Sequence, residues 1–151
     1  MADTNLEFIP YSRQEISEAD LTAVTEQLRS DFLTQGPVGG EFERTFAKRH
    51  QVKHAIGVSN ATAALHIGCL AFGVGPGSLV WTCPNSFVSS ANCAIFCGAE
   101  VDFVDTDPLT RNMSLDELTA KLEAADKTGK LPDVVIPVDF SGLPCDLAEM
   151  R

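Results

Sequence analysis

The sequence predicts an α/β fold in which a mostly parallel sheet is flanked by helices. Short apolar runs alternate with helical patterns along most of the 151 residues, an order typical of strands joined by crossover helices. Short apolar strands separated by helices indicate a parallel sheet that helices cover on both faces. The composition is that of an ordinary globular domain, with 44% hydrophobic and 21% charged residues, and argues against a disordered chain.

Four apolar runs are predicted to be strands. In chain order they are HAIGVS (54–59), LVWT (79–82), EVDFVD (100–105) and DVVIPVD (133–139). Each is four to seven residues long, the length that buried strands usually have.

Helices are predicted before and between these strands from capping residues and apolar spacing. The first is capped by Ser17 with Asp20, carries Leu21, Val24 and Leu28, and ends in a loop over 34–40. The second has Phe42 and Phe46 on one face and stops near His50. The others begin at Asn60 with Gly73 as the stop, at about Ser86 with an end near Cys97, and at Ser114 with Glu117. Residues 145–151, capped by Asp146, resemble the start of a further helix, so the chain is expected to be a fragment of a longer protein.

Charge and cysteine usage restrict the classes of partner. A formal net charge of −10 predicts no affinity for nucleic acid or anionic lipid. No apolar run approaches the roughly 18 residues that span a bilayer, and no signal peptide is expected at the N-terminus. The five cysteines contain no C-x-x-C pair and are interpreted as small buried hydrophobes in a reducing cytoplasm.

Several patterns that suggest ligand sites do not have the required context. The glycine loop GVGPG (73–77) follows a predicted helix and precedes a strand, the reverse of the dinucleotide-binding order. His50 and His54 have helical spacing but fall on either side of a predicted helix end. Cys93 and Cys97 lack the further ligands that zinc requires. No metal site is therefore predicted.

Three positions remain as candidate binding residues. The junction Ser59–Thr62 opens a predicted helix, where unpaired N–H groups and the helix dipole favour an anion; the alternative is an ordinary cap. Phe87 follows the second predicted strand, where open parallel sheets bind ligands; the alternative is a core phenylalanine or a hydrophobic staple at the start of a helix. Asp139 ends the fourth predicted strand, where its carboxylate could hydrogen-bond a ligand. The alternative is that it hydrogen-bonds its own loop, as turn aspartates do.

The order of several segments resembles the DegT/DnrJ/StrS-type family of pyridoxal-phosphate-dependent sugar aminotransferases. The resemblance covers nearly the whole chain and implies the large domain of the aspartate-aminotransferase-like, or type I, fold. Residues 1–151 would be the N-terminal part of that domain, with the first helix and a substrate loop in 1–40. The rest of the large domain and a small C-terminal domain would be absent. The matching segments are IPYS, DFLTQGP, VSNATAALHIGCLAFG, TCPNSFVSSAN, GAEVDFVDTDP and VIPVDFSGLP.

The same resemblance implies roles for individual residues. Asn60, Ala61 and Thr62 occupy the stretch that binds the cofactor phosphate, and Phe87 matches the aromatic residue that stacks on the pyridine ring. The implied substrate-binding positions are Tyr11, Thr34, Gly36 and Asp139. At the position of Asp139 many family members have histidine.

The resemblance also implies a reaction that this chain would not catalyse alone. Family members move an amino group from an amino acid, expected to be glutamate, to a 4-keto nucleotide sugar, and are typically homodimers. The reaction needs a Schiff-base lysine and an acid at the pyridine nitrogen, both expected beyond Arg151. The five lysines present are interpreted as solvated. Two alternatives remain: an inactive relic that binds a phosphate ligand or a partner copy, and an unrelated nucleotide-binding α/β domain.

Overall fold

The computed structural model describes Pro10 and residues 12–150. The chain divides into two compact units, of which the first ends at Gly57 and the second begins at Val58. The elements in chain order are α1 (Glu18–Leu28), α2 (Pro37–Arg49), α3 (Ala61–Ala71), β1 (Leu79–Thr82), α4 (Ser89–Phe96), β2 (Glu100–Phe103), α5 (Leu115–Thr128), β3 (Val134–Ile136) and a 3-10 turn η1 (Phe140–Gly142).

The first unit contains α1 and α2. The predicted capping box of α1 is confirmed, because Asp20 N donates to Ser17 Oγ while Ser17 N donates to the Asp20 carboxylate. The predicted loop over 34–40 is wrong beyond Gly36, where α2 already begins at Pro37. Proline is well suited to a first helical position, since its fixed φ is helical and its missing N–H would have no partner there.

The predicted strand over 54–59 is wrong. Residues 54–58 form no strand, and no other strand in the described part of the chain lies beside them. The N–H of Gly57 donates instead to Glu43 Oε1 of α2 at 2.8 Å, and Ile56 is 77% exposed. An apolar run becomes a strand only where a neighbour completes its backbone hydrogen bonds.

The second unit is built on a parallel sheet with the strand order β2-β1-β3. In its register Trp81 lies between Asp102 of β2 and Val135 of β3. The other three predicted strands are therefore confirmed, although β2 and β3 are shorter than expected. β3 stops before Pro137, which has no N–H to donate to a sheet.

The helices of the second unit end largely where local signals predicted. α3 is capped by Asn60, and Gly73 follows it with φ +77°; α5 begins after Ser114 and ends at the left-handed Gly129. α4 begins later than Ser86, because residues 84–88 form turns instead. The segment before Arg151 forms a turn in which Glu149 N donates to Asp146 Oδ1, and not a helix.

Two apolar clusters cover the two faces of the sheet, because successive side chains of a strand point to opposite sides. Val80 packs with Cys93 and Ala94 on the face of α3 and α4, whereas Trp81 packs with Leu118 of α5 on the other. Four of the five cysteines are buried and all five are free thiols, as the sequence predicts. Within the described residues no helix is long and apolar enough to cross a bilayer.

Candidate functional site

The N-terminus of α3 presents unused hydrogen-bond donors. Asn60 Oδ1 accepts from Ala63 N at 2.9 Å, and Asn60 O accepts from Ala64 N at 3.1 Å. Within the described residues no protein acceptor is found for the N–H of Ala61 or of Thr62. Asn60 is thus an ordinary helix cap, and the N–H groups of Ala61 and Thr62 remain without a described acceptor at the positive end of the helix dipole, where an anion would be favoured.

Phe87 is not a core residue, so the core half of the alternative is wrong. The residue is 75% exposed and lies in the loop between β1 and α4. Its carbonyl accepts from Ser90 N, and the hydroxyls of Ser86 and Ser90 are 2.7 Å apart, so the backbone of this loop is held while the ring is accessible. An exposed ring on a held loop can stack on a flat ligand.

Asp139 follows β3 and bonds within its own loop. Its Oδ1 accepts from Cys145 N at 2.9 Å, which is the turn chemistry that the sequence left open as the alternative. The residue is exposed. The acidity of Cys145 is affected as well: burial, and then the nearby Asp139, raise the pKa of its thiol.

The structure brings three of these features to one edge of the sheet. The loops of Phe87 and Asp139 leave the carboxyl ends of the neighbouring parallel strands β1 and β3. The first turn of α3 packs beside this edge, because Ala64 and Pro137, which follows β3, both line an apolar groove of about 330 Å³. This is the edge at which parallel α/β sheets bind ligands.

The remaining predicted substrate residues belong to the first unit. Thr34 is exposed in the turn after α1, and Gly36 is the cap of α2. Gly36 has a steric reason to be glycine, since an added Cβ would lie 2.7 Å from the Cβ of Phe32. Tyr11 lies outside the described residues.

Two asparagines bond the loops of the second unit together: Asn112, which sequence reasoning missed, and Asn85, which it considered only as a possible helix cap. Asn112 is 5% exposed; its Oδ1 accepts from Phe140 N at 2.8 Å and its Nδ2 donates to Leu143 O at 2.9 Å. Asn85 Nδ2 donates to Arg111 O at 3.4 Å. Each asparagine is surrounded by turn residues in the sequence, so no local signal separates them from ordinary turn asparagines.

Lys121 contradicts the interpretation of all five lysines as solvated. Its Nζ lies 2.7 Å from Asp102 Oδ2, donates to Phe103 O and lies 4.7 Å from the centre of the Trp81 ring. The hydrogen bond from Lys121 lowers the pKa of the Asp102 carboxyl. The lysine therefore bonds β2 to α5. The other four lysines are exposed as predicted: Lys48, Lys53, Lys127 and Lys130.

Solved structures with the same fold include several aminotransferases. A DegT/DnrJ/EryC1/StrS aminotransferase from Brucella abortus is 33% identical with a TM-score of 0.80, over 86% of this chain and 35% of its own. Spr1654 of Streptococcus pneumoniae, assigned as a sugar aminotransferase and solved in its PMP form, is 29% identical with a TM-score of 0.81, over 95% and 34%. 3-Amino-5-hydroxybenzoic acid synthase is 28% identical with a TM-score of 0.78, over 90% and 34%.

The chain thus spans about a third of the length of these structures. They confirm the predicted fold, a partial large domain of the type I class, and exclude an unrelated nucleotide-binding domain. Structures with PLP and with PMP are both found among them, as expected of a pyridoxal-phosphate family. The profile of the DegT/DnrJ/EryC1/StrS aminotransferase family matches residues 14–151, and the chain belongs to that family.

Proposed function

We propose that this chain forms the phosphate-binding and ring-stacking part of a pyridoxal-phosphate-dependent sugar aminotransferase. The observation that carries the proposal is the pair of amides at Ala61 and Thr62, for which the described part of the chain provides no acceptor. They open α3, whose first turn lines a groove with Pro137 after β3, and the exposed Phe87 follows the neighbouring strand β1. The likeness to PLP- and PMP-bound family members supports this assignment.

The residues of the α3 junction fit a phosphate group. Ala61 has a side chain small enough to let phosphate oxygens approach its N–H, and the half-buried Thr62 can add a hydroxyl donor. Helix dipole and amide donors together bind anions without a positive side chain, which suits a chain of net charge −10. Asn60 serves the site indirectly, because its side chain caps Ala63 and so fixes the first turn.

Phe87 would orient the other end of the cofactor. When bound, pyridoxal phosphate supplies an electron-accepting ring for the transfer of the amino group. A phenylalanine packed on one face of that ring limits its rotation and excludes water from that face. The bonds of Ser86 and Ser90 hold the loop that carries Phe87.

The finer function follows from the sequence resemblance. We assign the whole protein the transfer of an amino group from glutamate to a 4-keto nucleotide sugar, for cell-surface polysaccharide and nonulosonic acid synthesis in the cytoplasm. Within the family the chain looks most like the transaminase that forms UDP-4-amino-4,6-dideoxy-N-acetyl-β-L-altrosamine, a precursor of pseudaminic acid. Tyr11, Thr34, Gly36 and Asp139 would contact the substrate, and the whole enzyme would be a homodimer.

The 151 residues are assigned to the N-terminal part of the large domain and are proposed to be inactive alone. None of the five lysines meets the requirements of a Schiff-base residue: four are exposed on the surface, and Lys121 is paired with Asp102. The alternative is an inactive relic that binds a phosphate ligand or dimerises. A coding sequence that continues beyond Arg151 to an aspartate and a lysine would favour the enzyme, and a stop codon would favour the relic.

The phosphate site is tested by titrating the chain with pyridoxamine 5′-phosphate, which needs no lysine for binding, while amide NMR signals are recorded. We expect the largest shifts at Ala61 and Thr62, and none with pyridoxamine lacking the phosphate. Thr62→Ala should weaken binding about tenfold through the loss of a bond to a charged group. Phe87→Ala should weaken it about threefold to tenfold through lost stacking.

Thr119→Ala, on the exposed face of α5, is the matched control and should bind as the unaltered chain does. Equal affinity of all three variants would contradict the site assignment. Transaminase turnover by the 151-residue chain would contradict its proposed inactivity.

A further inference from the structure

Both loops of the candidate site bond to one short segment, Arg111–Asn112. The loop that carries Phe87 reaches it through Asn85 Nδ2, which donates to Arg111 O at 3.4 Å. The loop that carries Asp139 reaches it through the side chain of Asn112. These loops leave adjacent strands, β1 and β3, yet neither the strand register nor the resemblance to known enzymes requires them to share an anchor.

Asn112 bonds to both ends of the 3-10 turn η1. Its Oδ1 accepts from Phe140 N and its Nδ2 donates to Leu143 O. Between these two bonds lies Ser141 with φ +53°, a conformation that non-glycine residues adopt at a cost and keep only when the surroundings hold them. The amide is 5% exposed, so bonds of this kind are protected from competition with water.

The anchor segment is itself held. Arg111 has φ +65°, and its N–H donates to Asp107 O at 2.9 Å, while Asp107 N donates to Asn112 O at 2.9 Å. Asp107 Oδ1 accepts from the N–H groups of Leu109 and Thr110; the bond from Thr110 lowers the pKa of Asp107 most. A second strained residue is thus stabilised at the point where the two loops meet.

We propose that Asn112 is a positioning residue that holds the loops after β1 and β3 in one arrangement. It acts through Phe140 and Leu143 on the Asp139 loop, and through the neighbouring Arg111 carbonyl on the loop of Phe87. Its effect on ligand affinity rests on the proposed function, whereas the anchoring of the two loops does not. Such support by residues that do not touch the ligand is expected where two loops must form one site.

The anchoring is tested by amide hydrogen exchange in the full 151-residue chain. In Asn112→Ala the N–H of Phe140 loses its acceptor, so its exchange should quicken about tenfold or more, together with that of Cys145. Asn112→Asp keeps the acceptor for Phe140 but loses the donor to Leu143. It should therefore keep the Phe140 N–H protected while the turn beyond it opens.

The effect on the ligand is read from pyridoxamine 5′-phosphate affinity. Asn112→Ala should weaken binding about threefold or more. Asn85→Ala should weaken binding by a smaller factor in the Asn112→Ala variant than in the unaltered chain, because both changes break the same anchor. Leu122→Ala is the matched control: it removes half-buried packing of α5 and lowers thermal stability, but should leave affinity and Phe140 exchange unaltered.

The outcomes separate the two proposals. Unchanged Phe140 exchange in Asn112→Ala, or an equal change in Leu122→Ala, would overturn the positioning role. The positioning role would also be overturned if the loops opened in Asn112→Ala without any loss of affinity, provided that the unaltered chain binds pyridoxamine 5′-phosphate. Absence of binding by the unaltered chain would count against the proposed function, and the exchange results alone would then decide the role of Asn112.

Discussion

The ammonium group of Lys121 lies among the Asp102 carboxylate, the Phe103 carbonyl and the face of the Trp81 ring. An ion pair and a cation–π contact therefore reinforce each other between α5 and the sheet. The side chain of Lys121 is 25% exposed and that of Asp102 is 58% exposed. Solvent therefore screens the pair, which contributes about 1 kcal/mol or less to stability.

This pair predicts a pH dependence of stability. The hydrogen bond from Lys121 lowers the pKa of Asp102 below that of an unfolded aspartate. The stabilisation is thus complete above the unfolded pKa and is lost as the pH falls through the folded one. Urea unfolding of the chain and of Asp102→Asn, followed by the fluorescence of Trp81, should differ by about 1 kcal/mol or less near neutral pH.

The same difference should shrink progressively as the pH is lowered below the unfolded aspartate value of about 3.9 and through the lowered pKa of folded Asp102. Because Trp81 is the one tryptophan of the chain, its signal reports on the second unit and on the site of the substitution. A difference that persists unchanged at the lower pH would show that Asp102 stabilises the fold through packing and not through its charge.

Among the elements, α3 joins the proposed phosphate site to the core of the second unit. Its first turn depends on the bond from Ala63 N to Asn60 Oδ1. We expect Asn60→Ala to lower the free energy of unfolding by about 1 kcal/mol, and Asn60→Ser, which keeps a capping oxygen, to restore most of the loss. Chemical denaturation measures both. If the two variants lost the same free energy of unfolding, the capping oxygen of residue 60 would contribute little to stability.

Elements with local signals were predictable, and those that depend on distant partners were not. The capping residues of α1 and α5, Ser17 and Ser114, act within one helical turn, so the sequence pattern contains all the information needed. The run at 54–59 has strand composition but no neighbouring strand within the described residues. Composition cannot supply the partner that a strand requires.

The candidate site shows the same division. The α3 junction and the strand ends that precede Phe87 and Asp139 follow from the order of elements, which places them at one edge of the sheet. The roles of Asn112 and Lys121 come from contacts 28 and 18 residues away in the sequence. Such contacts depend on the register of the sheet, which no local pattern specifies.

At the scale of the whole chain, the second unit leaves much apolar surface uncovered. β3 is an outer strand of the described sheet, and the groove beside it is lined by α3 residues and by 134–137. Ile67, Leu70 and Phe72 of this region are 48%, 54% and 80% exposed. An unpaired strand edge next to apolar side chains favours association with other chains.

We therefore expect the isolated chain to self-associate at tens of micromolar despite its net charge of −10, and sedimentation velocity should show species larger than 16.2 kDa. Phe72→Lys should reduce this association, because it places a charge beside the groove and suits the C-terminal end of a helix dipole. Thr119→Lys makes the same change of charge on the exposed face of α5 and is the matched control. If Thr119→Lys reduced association to the same extent as Phe72→Lys, then net charge, and not the apolar surface beside β3, would govern association.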